Sequence, residues 1–521
     1  MEKKPLYQRE FANLKSFEMV LDHFRDKFKL HCHSEITRRR LFYDTFDWRL
    51  YRNGYVLERD LNGKNVYRLR STGRDVVTRT FVLDQDPDFS WNFKRKSLRD
   101  LLSPLISIRR LMVKDEVNVR IQLFELIDKR KKIQLRFELE KYLKQDSRGR
   151  NRNLLINCRF YPLRGYEGIC NKQLKWIDKN FPLPGRFYDP VSHLLSAHNI
   201  KTTDYSSKLN LTLSPDMSIG QAMATTLLFH LDMIDQNLPG VKADLDSEFL
   251  HDFRIANRRS RSLLTQIKRV LPENKEKYYR QIFSWLSNET SEPRDLDVFI
   301  LDIPRYESML PVDMQAGLEP LRIALSGKRQ KAHDKLLKTL NSAKFKKFMT
   351  GYRASLMTGL KDHFRTRAGI QPVLKEADQV IWRVYNHLLK KGRYARETGD
   401  KQALHDLRKT GKKLRYLLET FRSLYPEKEI EQVVSQCRRL QNLLGRIVDY
   451  RVQQNYLLSL TADSIDGTGF PRETAICIQY LVDTYGKLEE KAIGKFDGRF
   501  TQFSETQTRK LFERLFTVKN T

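Results

Sequence analysis

A chain of 521 residues has room for two or three domains with substantial cores, and a composition 40% hydrophobic and 11% aromatic excludes an intrinsically disordered polymer. A formal net charge of +32 marks it as an attractor of polyanions, so nucleic acid, acidic membrane and polyphosphate are the partner classes to weigh. The five cysteines are odd in number, widely spaced and free of any Cys-x-x-Cys pattern, which argues against a disulfide framework and a zinc site. The N-terminus has no apolar signal core, and no run of about 18 apolar residues occurs. No membrane span and no cofactor are expected, and a reducing cytoplasm is the expected compartment.

From about residue 6 to residue 161 the pattern is short and strand-like. The run Arg40-Leu-Phe-Tyr-Asp-Thr-Phe-Asp-Trp-Arg-Leu-Tyr51 leads into Asn53-Gly54, and the segments 55–61 and 65–70 flank Asn62-Gly63, which predicts a hairpin. A second hairpin joins 117–127 to 133–140 through the polar turn Asp128-Lys-Arg-Lys-Lys132. Helices are expected at 18–28 and 91–102. The resulting fold is an antiparallel sheet with flanking helices, curved or closed. Residues 181–205, with Pro182, Pro184, Gly185 and Pro190, form the expected connection, with a short helix over 191–198. Beyond Leu209 strand signals vanish. The predicted helices cover 218–235, 247–270, 275–286, 311–339, 343–358, 371–390, 401–424, 430–444, 447–460, 473–495 and 505–516.

One stretch of this helical half is written twice. Leu250-His-Asp-Phe-Arg-Ile-Ala-Asn-Arg-Arg-Ser-Arg-Ser-Leu-Leu264 returns as Leu404-His-Asp-Leu-Arg-Lys-Thr-Gly-Lys-Lys-Leu-Arg-Tyr-Leu-Leu418. At about 100° per residue His251, Arg254, Arg258 and Arg261 fall on one stripe, with Phe253, Ala256, Leu263, Leu264 and Ile267 opposite. In the second copy His405, Arg408, Lys412 and Arg415 take the stripe, and Leu407, Leu414, Leu417, Leu418 and Phe421 take the apolar face. The two histidines lie 154 positions apart, and so do Asp295 and Asp449, which sit in Glu292-Pro-Arg-Asp-Leu-Asp-Val298 and Leu440-Gln-Asn-Leu-Leu-Gly-Arg-Ile-Val-Asp449. Two landmarks at one offset argue for an internal duplication, and twins of this kind pair about a pseudo-twofold axis that would bring the basic faces near each other. Like charges at these spacings repel by a few tenths of a kcal/mol per pair, a penalty that an anionic partner reverses. Guanidinium forks suit phosphate oxygens, so the pattern points to a phosphate polymer.

The duplicated basic helix, Arg294-Asp-Leu-Asp-Val298, and Leu-Gln-x-x-Leu-Gly with Asp449 resemble a CHAD domain over roughly 209–521. The resemblance implies two helical bundles related by pseudo-twofold symmetry, repeat one about 209–360 and repeat two about 371–521, with a basic channel that binds inorganic polyphosphate. It carries the binding role to His251, Arg254, Arg258, Arg259 and Arg261, and to His405, Arg408, Lys409, Lys412, Lys413 and Arg415; Arg329 and Lys344 are weaker candidates. Association with polyphosphate granules would follow from that role. The N-terminal part, about 1–190, resembles the CYTH, or triphosphate-tunnel, family through Tyr43-Asp44-Thr45 with Leu50 and Gly54, Phe137-Glu-Leu-Glu140, and Arg164-Gly165-Tyr166-Glu167. That implies a β-barrel or tunnel, giving an α+β two-domain protein. The family's opening Glu-x-Glu-x-Lys falls here on Leu6, Gln8 and Glu10, and tunnel arginines expected after Leu57 are replaced by Glu58, Arg59 and Asp60. Only Glu138 and Glu140, with Arg68 and Arg70, persist. Holding a divalent ion against a triphosphate takes more carboxylates than that, so the domain reads as a non-catalytic docking module.

Several residues carry a plainer reading beside the functional one. His251 and His405 each lie next to an aspartate near a helix start, so capping competes with ligand contact. Asp295, Asp297 and Asp449 read as caps or arginine partners before acid–base groups. The run 129–132 reads as a charged turn, and Glu138 and Glu140 as inherited or ion-paired carboxylates. The alternative function is a metal-dependent triphosphate hydrolase centred on the N-terminal domain. Nucleic-acid binding is disfavoured because neither basic helix interleaves aromatic platforms with its stripe, Tyr416 being the one nearby ring.

Overall fold

Alternation of apolar and polar residues folds the beginning of the chain around an antiparallel sheet, whereas a 3.6-residue periodicity governs the remainder. The structure, a computed structural model, describes residues 7–61, 65–72, 78–145, 151–181, 189–203, 205–209, 211–462 and 469–517, and divides into two units, Met1–Tyr205 and Ser206–Thr521. Leu6, the Asn62-Gly63 turn, and Pro182, Pro184 and Gly185 lie outside the described residues.

In the first unit the strands are β1 (Tyr7–Phe11), β2 (Lys29–Cys32), β3 (Ile36–Asp44), β4 (Tyr55–Asp60), β5 (Val66–Ser71), β6 (Thr78–Val82), β7 (Met112–Ile127), β8 (Ile133–Gln145) and β9 (Asn151–Pro162). Their order is β1-β9-β8-β7-β3-β4-β5-β6, every pairing antiparallel, with β2 continuing β3 along the same edge of β7. Among the described residues the sheet curls but stays open between β1 and β6, a half-barrel compatible with the tunnel resemblance. Both expected hairpins form, β4 with β5 and β7 with β8. The charged turn 128–132 is held by the Asp128 carboxylate, which accepts from the backbone N–H groups of Arg130 and Lys132, both at 2.8 Å.

One strand expectation is corrected. The run from Arg40 does not stay extended to Tyr51; β3 stops at Asp44 and a short helix, Arg49–Arg52, follows. Asp44 causes the stop, because its buried carboxylate accepts from the backbone N–H groups of Thr45, Leu50 and Tyr51 at 2.7 to 2.9 Å. A carboxylate that gathers donors from its own chain offers an alternative to the sheet ladder. Helices Leu14–Arg25 and Glu167–Asn180 pack on the apolar face around Phe24, Phe124 and Phe137; the second of them the sequence pattern did not reveal.

The second unit is helical throughout its described residues, apart from one isolated β-bridge between Ser218 and Pro372. The duplication is visible in its element boundaries. Helices Ile219–Lys242, Ser247–Gln266 and Glu273–Glu289 begin 154 residues before Val373–Thr398, Lys401–Phe421 and Glu427–Ala462. Equivalent helices touch their twins, the first pair across 219–242 and 373–398 and the second across 247–266 and 401–421, as an approximate twofold relation requires.

The copies differ at their third helix. In copy one it breaks at Thr290, and Ser291–Leu301 continues as a separate segment. In copy two the predicted pair 430–444 and 447–460 is instead one continuous helix, because Gly445 inside it costs only about 1 kcal/mol relative to alanine and does not stop the ladder. Likewise 311–339 resolves into a 3₁₀ segment, Val312–Leu318, and a helix, Glu319–Asn341, with Pro320 at the start of the latter. Short helices Ile303–Met309 and Phe496–Ser504 also went unpredicted.

The capping role considered for the two histidines belongs to other residues. Asp246 accepts from the N–H groups of Glu248 and Phe249, and Asp400, 154 positions on, accepts from those of Gln402 and Ala403, at 2.9 and 3.2 Å in each copy. His251 and His405 sit a full turn inside, beyond the reach of a cap. Asp246→Ala and Asp400→Ala should each lower unfolding free energy by about 1 kcal/mol in denaturant titrations, and more than His251→Ala or His405→Ala does.

Candidate functional site

The basic helices are placed by their apolar faces. Phe253, Ala256, Leu263, Leu264 and Ile267 are buried in copy one, and Leu407, Leu414, Leu417, Leu418 and Phe421 in copy two, so the cationic stripes are turned outward from each bundle. The stripe from His251 to Arg261 runs about 15 Å at 1.5 Å per residue.

The two stripes meet. Arg258 acts electrostatically on Lys412, and Arg261 on Lys413, in each case across the boundary between copies. Half-buried Lys412 suffers most: burial, then Arg408 and Arg258, then Arg415, push its ammonium down to about 7 from an ordinary 10.5, against the attraction of Asp449. Burial and the same crowding lower Lys413, and burial with Lys409 and Arg408 lowers His405. Arg254 is pushed down to about 10 by burial and by Arg258 and Arg294, against the attraction of Asp295. Arg408, Lys412 and Arg415 line an open cleft of about 600 Å³ whose far wall is Gln441, Asn442, Gly445, Arg446 and Asp449.

Not every candidate is available to a ligand. Arg254 donates to the Ser287 carbonyl at 3.2 Å and to the hydroxyls of Thr290 and Ser291 at 2.9 and 3.1 Å, at the helix break. Arg408 donates to Asp449 at 2.8 Å, the pairing that the arginine-partner reading expects. Arg259 binds the Ser207 carbonyl and Glu419 at 2.8 and 3.2 Å, with Tyr416 beneath its guanidinium, and thereby ties the first basic helix to the second. Arg415 lies 3.4 Å from the same Glu419, and Lys409 bonds Asp406 at 3.3 Å.

The two weaker candidates sit in other surroundings. Arg329 donates to Asp297 at 2.9 Å and grips Asp244 through both terminal nitrogens, and Lys344 rests 4.0 Å above the Trp285 ring. Arg446 was missed as a lining residue, though its place one turn before Asp449 on the same helix would have flagged it. Lys391, which crowds Lys413 from helix Val373–Thr398, has no counterpart in copy one and left no repeat signal.

The first unit also gathers charge, on one face of its sheet. Period two points Arg40, Glu58, Asp60, Arg70, Glu140 and Arg159 to a common side, all of them buried. Arg40 donates to Asp60 at 2.6 Å and Glu140 at 3.1 Å, Arg159 lies 2.6 Å from Glu140, and Arg70 pairs with Glu58. Burial alone would raise Glu140; Arg159, Arg40 and Arg70 reverse this and hold it at about 2. Three buried guanidiniums therefore face three buried carboxylates. Of the four residues that match the tunnel family's pattern, Glu140, Arg70 and Arg68 belong to this network, Arg68 lying 2.7 Å from Asp60, and Glu138 accepts from the Tyr161 hydroxyl at 2.7 Å.

Residues 225–458, a span that includes both basic helices, match the family model of the CHAD domain. Solved structures similar to the chain include the CHAD domain from the plant Ricinus communis, at 22% identity and a TM-score of 0.48, covering 60% of this chain and 96% of that one. PptA from Streptomyces chartreusis is similar at 14% identity and a TM-score of 0.41, covering 55% of this chain and 99% of that one. No curated protein matches.

The depressed ammonium gives a stability test. Between about pH 7 and 10.5 the unfolded chain holds a proton on Lys412 that the folded chain lacks, so stability rises with pH across that window and is lowest below it. Lys412→Gln removes the titration. In denaturant melts the variant should exceed wild type at pH 6 to 7, and the difference should shrink steadily toward pH 10.

Proposed function

With a CHAD domain spanning residues 225–458 as the premise, we propose that this protein binds inorganic polyphosphate along the cationic groove where its two basic helices meet, and that it does so without chemistry. The observation that carries the reading is Lys412 held among Arg258, Arg408 and Arg415. Such crowding is unfavourable without a ligand, and a chain of phosphates lying between the copies removes the repulsion while gaining charge-assisted hydrogen bonds. His251, Arg258, Arg261, His405, Lys412 and Lys413 are the direct contacts in this reading. Arg254 and Arg408 contribute charge while fixed by Thr290 and Asp449. Arg259 holds the helices together, and Arg329 is a structural ion pair. The absence of aromatic platforms on the stripes favours a ligand without bases over a nucleic acid.

Calorimetry at moderate salt should show long-chain polyphosphate binding far more tightly than orthophosphate. Arg258→Gln with Lys412→Gln should weaken the polymer at least tenfold and flatten its salt dependence, by analogy with counterion release. Equal, weak binding of both ligands, or displacement of the polymer by single-stranded DNA at equal charge, would sink the reading. Because the bound phosphates favour charged Lys412, binding should take up protons near neutral pH and weaken as pH rises above about 7.

The non-catalytic reading of the first unit rests on its ion pairs: Arg40, Arg68, Arg70 and Arg159 are engaged by Glu58, Asp60 and Glu140, so these side chains are committed to one another rather than to a triphosphate or a metal ion. The full chain should release no phosphate from tripolyphosphate with magnesium or manganese. Release abolished by Glu138→Gln plus Glu140→Gln would replace this reading with the hydrolase.

A further inference from the structure

The duplication makes the two ends of the groove comparable position by position, and they are not alike. Beyond Arg261 the first basic helix opens onto a cleft of about 1020 Å³ lined by Lys268, Arg269, Lys277 and Arg280, with Glu273 and Glu276 as its carboxylates. Arg261 belongs to both the stripe and this cleft, so the two surfaces are continuous. Glu276 is already committed, accepting from the Arg269 backbone N–H at 2.8 Å and lying 3.6 Å from Arg280. Among the described residues the side chains of Arg261, Lys268, Arg269 and Lys277 make no ion pair.

The twin cleft in copy two holds about 530 Å³ and is built from the matching segment. There, 154 positions on, Lys268 becomes Arg422, Lys277 becomes Glu431 and Arg280 becomes the core residue Val434. Glu431 takes Arg422 at 3.2 Å and Arg438 at 3.3 Å. Three cations of the first cleft, Arg269, Lys277 and Arg280, are thus replaced by Ser423, Glu431 and Val434, and the cationic character of the second cleft falls accordingly.

We propose that the copy-one cleft is a second anion subsite, which takes the phosphate chain after it leaves the groove past Arg261, while the copy-two end has no such extension. This rests on the polyphosphate reading of the groove and adds a place for the remainder of a long chain. The ligand class is a linear polyanion longer than the groove; exposed lysines suit it because they supply point charge without fixed geometry.

The full-length protein is titrated calorimetrically with short-chain and long-chain polyphosphate across a salt series. The cleft variant Lys268→Gln/Lys277→Gln/Arg280→Gln should match wild type for the short chain, bind the long chain about tenfold more weakly, and show a salt slope shallower by roughly two to three. Arg258→Gln/Lys412→Gln should weaken both ligands. The converse variant Glu431→Lys, which releases Arg438 and leaves Arg422 only Glu427 at 3.8 Å, should strengthen long-chain binding. Unchanged long-chain affinity and slope in the cleft variant would overturn the subsite and leave the groove standing, and so would equal losses for both lengths. Failure of wild type to bind the long chain would overturn both.

Discussion

Burial of the inner helix faces is the constraint on which the helical unit turns, and the electrostatic crowding around Lys412 is its consequence. Each fully buried Leu or Phe on the inner faces contributes about 1.5–3 kcal/mol, whereas each like-charge pair on the outer stripe costs a few tenths. Packing of Phe253, Leu264, Leu407, Leu414 and Leu418 therefore decides where the helices lie, and the cations accept whatever neighbours result. What results is a lysine whose proton is held loosely, facing arginines contributed by both copies. Carboxylates temper that surface without neutralising Lys412: Glu419 engages Arg259 and Arg415, Asp406 engages Lys409, and Asp449 and Asp295 attract Lys412 and Arg254.

The first unit handles the same residue types in the opposite way. Its arginines are as buried as any in the molecule, yet each has a carboxylate within reach, contributed by strands on either side. Burying such a network is costly unless charges cancel, and here they do. The buried face of the first unit pairs its arginines with carboxylates, whereas the stripes of the second set cations of like sign side by side.

How much of this was legible in the sequence follows from which forces are local. The duplication, the inner and outer faces and the helix starts are written in residue spacing, and 219, 247 and 273 recur at 373, 401 and 427. The engagement of individual arginines is not. Arg254 meets Ser287 and Thr290, Arg329 meets Asp244, and Arg259 meets Glu419, partners 33 to 160 positions away that no periodicity announces. The end of β3 at Asp44 is readable only by asking which side chain gathers three backbone donors, and the aspartates beside His251 and His405 suggest a helix start, whereas the caps Asp246 and Asp400 stand five residues before the histidines.

The break at Thr290 has no equal in the unbroken helix Glu427–Ala462, and this sets the character of the two banks. On one bank an arginine is fastened by three neutral oxygens at a helix terminus; on the other its twin is leashed to a carboxylate whose side chain is 66% exposed and able to let go. One bank is therefore a rigid jaw and the other a yielding one, and re-aiming the Arg408 guanidinium changes the width between them without rearranging the bundle.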